Sequence, residues 1–136
     1  MRFLLVLMVV GGVAFADAPK GRYRLEVEEG WLQINGPTKD PVPSCGPRAA
    51  DFIAKIGTLK VEVANDVTVN GIVWKPGPPS PNRISVVNDQ LLEGFVLQVT
   101  FDQGRASTRG VLVVVGLSND VLQCGDALRL AGRYDR

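Results

Sequence analysis

The chain has 136 residues, 46% of them hydrophobic, with 15 Lys or Arg against 14 Asp or Glu and a formal net charge of +1. It contains no histidine, which excludes the Ser-His-Asp triad, the Cys-His pair and zinc sites built on imidazole. So neutral a balance argues against non-specific binding to nucleic acid or to an anionic membrane, because both rest on excess positive charge.

Residues 1–16 read as an export signal. Arg2 gives a positive start, Phe3 to Val13 form a short apolar run, and Ala14-Phe15-Ala16 is an A-x-A cleavage site. The run falls short of the ~20 residues that a spanning helix needs. Cleavage after Ala16 leaves residues 17–136 as one domain and removes Arg2, so the mature chain carries 14 basic and 14 acidic residues. The expected location is the periplasm or the extracellular space.

Tyr23, Leu25 and Val27 alternate with Arg22, Arg24, Glu26 and Glu28, the period-2 pattern of a strand with one wet face. Glu29-Gly30 reads as a break, with Trp31-Leu32-Gln33-Ile34 as a short second strand ending at Asn35-Gly36-Pro37. Four prolines between Pro37 and Pro47 mark an irregular loop. A helix is expected over Pro47–Ile56. Proline suits its first position, Ala49, Phe52, Ile53 and Ile56 share one face, and Gly57 ends it.

A meander follows. Leu59, Val61 and Val63 alternate with Lys60 and Glu62, and Asn65-Asp66 offers a reversal. Asn70-Gly71 is a strong hairpin signal between Val67–Val69 and Ile72–Trp74. The two turns lie so close that either the strand between them is very short or one is a bulge. Lys75–Asn82 holds four prolines and reads as a strand-free loop. Ile84–Val87 is a brief strand. Leu91–Val115 reads as one long hairpin turning at Asp102-Gln103-Gly104, and its Val111–Val115 run suggests a strand covered on both faces. Ser118-Asn119-Asp120 reverses the chain into a last strand with Leu128, Leu130, Gly132 and Tyr134 on one face.

About eight short strands and one helix predict a mainly β protein, a small antiparallel β-barrel, with a β-sandwich as the alternative. Gly21-Arg22-Tyr23 and Gly132-Arg133-Tyr134 resemble each other, and pairing of the first and last strands would remove both exposed edges. The layout resembles the small secreted up-and-down barrels of the lipocalin-like kind in architecture, although lipocalins place their helix after the strands.

Two cysteines, Cys45 and Cys124, are present. In an exported protein they are expected to form one disulfide, stabilising the fold by roughly 4 kcal/mol on the chain-entropy argument. Two free thiols at a catalytic site would lack a histidine to activate them.

No catalytic residue, metal ligand or cofactor site is expected. Neither G-x-G-x-x-G nor a P-loop occurs. Glu26, Glu28 and Glu29 cluster, but on a wet strand face rather than in a glycosidase-like cleft. The Asn-Asp pairs at 65–66, 88–89 and 119–120 read as turns rather than calcium loops.

The binding candidates are Trp31 and Trp74, placed to flank a barrel mouth with Phe52, and the loop prolines Pro78 and Pro79. Arg105 and Arg109 on the long hairpin could instead meet a partner or simply solubilise its outer face. The expected function is that of an exported, non-enzymatic binding domain. Its ligand would be a small apolar molecule or a protein, as for an inhibitor of secreted proteases. The alternative is a structural component of the envelope or a surface assembly. No nucleic-acid partner and no membrane-spanning role is expected.

Overall fold

Side chains along most strands alternate between an inward and an outward set, and the strands Arg83–Asn88 and Val121–Asp135 also bury consecutive residues. The sheet rolls up until its first and last members meet. The structure, a computed structural model, describes residues 19–32 and 41–136, with the backbone alone for residues 29–32. Its strands are β1 (Gly21–Leu32), β2 (Leu59–Val63), β3 (Val67–Val69), β4 (Ile72–Pro76), β5 (Arg83–Asn88), β6 (Phe95–Asp102), β7 (Thr108–Ser118) and β8 (Val121–Asp135). One helix, α1 (Pro47–Ile56), lies between β1 and β2. Each strand is antiparallel to the next and β8 pairs with β1, so the sheet is a closed barrel, not a sandwich. Residues 1–18, which hold the expected export signal, and residues 33–40 lie outside the described residues.

The closing seam joins the two look-alike ends of the chain. Tyr23 stands opposite Tyr134, Arg24 opposite Arg133 and Leu25 opposite Gly132. At Gly132 a Cβ would run into the Arg24 carbonyl oxygen, so only glycine permits the approach. Glu29-Gly30 does not end the first strand. The β1–β8 pairing shifts between Val27 and Trp31, and the residues between them form a bulge that absorbs extra chain while the ladder resumes beyond it.

The close pair of turns at Asn65-Asp66 and Asn70-Gly71 is resolved by a strand, β3, of only three residues. Asn70 and Gly71 have φ of 51° and 83°, as a two-residue hairpin with the twist of its strands requires. The Val111–Val115 run is not covered on both faces. Leu112 and Val114 are fully buried inside, whereas Val111, Val113 and Val115 are half-buried on the outer wall. An unbroken apolar run therefore serves here as one barrel wall, with valines tolerated outside.

Both ends of the barrel are closed. At one end α1 inserts Ala49 and Ile53, with Phe52 and Ile56 packed beside them and Leu91 and Leu92 from the β5–β6 connection. The Arg48 guanidinium lies 5.5 Å from the centre of the Phe95 ring and ties the helix to β6. At the other end Tyr23 contacts Phe101 edge-on at 4.7 Å and Tyr134 at 4.6 Å, centroid to centroid.

Strand seams differ in extent. β7 and β8 share eleven residue pairs, while β4 and β5 share two, Lys75 with Val87 and Pro76 with Val86. Just past β4 the Gly77 N–H donates to Ser85 O at 2.8 Å and extends that ladder by one bond.

Candidate functional site

The barrel interior is solid. Leu25, Val67, Val86, Leu97, Val99, Phe101, Leu112 and Val114 each have 0% of their surface exposed. A hollow large enough for a ligand would leave accessible surface on the walls that enclose it. Eight strands make a barrel whose inside is just wide enough for side chains to fill, and Val, Leu, Ile and Phe fill this one.

Trp74 belongs to that filling rather than to a mouth. It is 3% exposed, packed in the core, and its indole N–H has no acceptor among the described residues. Phe52 is half-buried against the same core from the helix side. The side chain of Trp31 lies outside the described residues. Of the three aromatic candidates, then, Trp74 and Phe52 share the core.

Cys45 and Cys124 form a disulfide across a sequence separation of 79. The chain before α1 is further stitched to β8. The Cys45 N–H donates to the buried Asp126 carboxylate at 2.9 Å, and the Gly125 N–H donates to the Pro43 carbonyl at 2.9 Å. Gly116, opposite Cys124, leaves room for the sulfur, since a Cβ there would lie 2.7 Å from Cys124 Sγ.

Pro78 and Pro79 sit on the β4–β5 loop at the end of the barrel away from α1. Both are exposed, as are Pro76, Ser80 and Pro81. The loop is held in one shape. The Gly77 N–H donates to Ser85 O at 2.8 Å, the Arg83 N–H to Ser80 O at 3.3 Å and the Gln103 N–H to Asn82 O at 3.0 Å. Asn82 takes the left-handed conformation, φ 59°. Arg83 anchors the loop's base through Asp102 at 3.4 Å. On the neighbouring hairpin Arg105 and Arg109 are exposed, and Arg109 reaches Glu28 only at 4.0 Å.

The outer wall of β8, β1, β2 and β3 carries a groove of about 760 Å³ under the end of α1, with Arg22, Arg24, Lys60, Glu62, Arg133 and Asp135 on its floor. A smaller hollow of about 420 Å³ beside it, between β1 and α1, is lined by Glu26 and Val27. Among the described residues no helix is long and apolar enough to cross a membrane.

Compared with protein-family models, curated proteins and solved structures, the chain matches none.

Proposed function

We propose that this protein is an exported, non-enzymatic binding domain that meets a protein partner on the outside of its barrel, through the β4–β5 loop. One observation carries the reading. The interior that a small apolar ligand would need is filled with side chains. What remains for recognition is surface, and the proline loop is the part of it already held in shape. Prolines and fixed turns reduce the entropy lost when a loop is immobilised by a partner. Export rests on Arg2, the apolar run and Ala14-Phe15-Ala16, and a disulfide is compatible with it.

Two measurements test this. Titration with a lipophilic fluorophore is expected to give no saturable binding, and a one-to-one complex would return the ligand to the interior. Replacing residues 76–79 with Gly and Ser is expected to abolish retention of the partner from the exported fraction. Equal retention by both forms would remove the loop from the proposal.

A structural role in an assembly is favoured by one feature. Ile72 and Val73, 44% and 59% exposed, lie on the thinly paired β4, where an added strand would cover them. Concentration-dependent growth in size on gel filtration would support that role, and a steady monomer would oppose it.

A further inference from the structure

We propose that the groove on the β8–β1–β2 wall is a binding site for a phosphate or sulfate group. The register places two rows of charge side by side on this wall. In the lower row Asp135, Arg22 and Glu62 stand opposite one another in turn, negative, positive, negative. Arg22 Nε lies 3.6 Å from Glu62. In the upper row Arg133 stands opposite Arg24 and Arg24 opposite Lys60. Three cations therefore occupy neighbouring positions on three adjacent strands, about 5 Å apart from strand to strand.

Like charges set directly opposite each other oppose strand pairing. The lower row alternates in sign; the upper row does not. Among the described residues Arg24 and Lys60 have no carboxylate within 4 Å, while Arg133 meets Asp135 at 3.6 Å with both side chains well exposed. Such a pair holds little in water, which leaves Arg133 able to turn inward. An oxyanion in the groove would neutralise the row, and two guanidinium forks match the paired oxygens of a tetrahedral anion.

The rest of the rim supplies neutral donors. Asn70, on the rim, accepts the Lys60 N–H through Oδ1 at 2.8 Å and keeps its amide N–H2 as a donor. Thr58 and Thr68 add hydroxyls. With so little excess charge on the chain as a whole, the attraction is local to this wall. It is also independent of the proline loop, so either proposal can fail alone.

The test is titration of the protein with inorganic phosphate and sulfate at low salt, followed by amide chemical shifts, with acetate as the comparison. Saturable shifts at residues 22–24 and 58–62 are expected. The double variant R24Q/K60Q is expected to weaken binding at least tenfold, and Arg129→Gln, outside the groove, to leave it unchanged. Without anion, R24Q/K60Q is expected to melt at the same temperature as the parent or higher, which separates lost binding from lost folding. Sedimentation with phosphatidylglycerol but not phosphatidylcholine vesicles, lost in R24Q/K60Q, would place the group on a lipid. Response to the free ions without vesicle binding would place it on a soluble molecule. The proposal is overturned if neither the ions nor the vesicles bind, or if binding survives in R24Q/K60Q.

Discussion

Tyr23 and Tyr134, the third residue of β1 and the penultimate residue of β8, stand directly opposite each other with their rings 4.6 Å apart. Each hydroxyl is used as well. Tyr23 Oη accepts the Gly104 N–H at 2.7 Å, and Tyr134 Oη donates to the Lys20 carbonyl at 2.8 Å. The pair closes the seam and fastens a loop and the incoming chain over that end of the barrel.

This arrangement gives alkaline stability a defined sign. Burial raises the pKa of Tyr23 above its ordinary value of 10.0. The Gly104 N–H partly opposes the rise, and Tyr134 adds to it. A raised pKa in the folded state means that the unfolded chain loses its proton first. The associated stability is complete below about pH 10 and is lost as pH rises through the folded value. Melting temperature is expected to fall above pH 10, and less steeply in Tyr23→Phe. At neutral pH that variant should lose about 1 kcal/mol, because the Gly104 N–H then has no acceptor.

Gly132→Ala tests the close approach at the same seam. The new methyl would collide with the Arg24 backbone, forcing β8 and β1 apart at a cost of about 2–3 kcal/mol. A melt should show the loss, and amide exchange should show it concentrated in β1 and β8.

Removing the disulfide should lower stability by about 4 kcal/mol, on the order of 15 °C in Tm for a domain of this size. The comparison is the oxidised protein against the Cys45→Ser, Cys124→Ser double variant. The residual fold should still hold α1 through Ala49 and Ile53, both buried in the core.

The proposed export makes a simple prediction. Protein recovered outside the cytosol should begin at Asp17, as read by N-terminal sequencing or intact mass, and should contain no free thiol. A chain still beginning at Met1 would contradict it.

The sequence revealed most where a signal is local. Pro47, the spacing of Ala49, Ile53 and Ile56, and Gly57 define a helix without outside help, and the structure has it over Pro47–Ile56. Alternation placed Leu97, Val99 and Phe101 inside β6 for the same reason. Distant pairings were harder to read. Glu29-Gly30 carries the marks of a strand end, and only the resumption of pairing at Leu128 makes it a bulge. Trp74 beside a turn resembled a rim residue, but its direction is set by Val67 across the ladder. The cation row was within reach, because Arg24 and Arg133 follow from the likeness of the two ends. Lys60 joins them only once the β1–β2 register is known.

The short seam between β4 and β5 is where this barrel is expected to open first. Unzipped there, it becomes a curled sheet with two fresh edges while its seven other joints stay shut, so amide protons of β4 should exchange with water ahead of those of β7 and β8. Such an opening would ordinarily invite another chain to zip on and seed aggregates. The prolines just beyond β4, Pro78, Pro79 and Pro81, have no N–H to offer and keep an incoming strand from extending along that border.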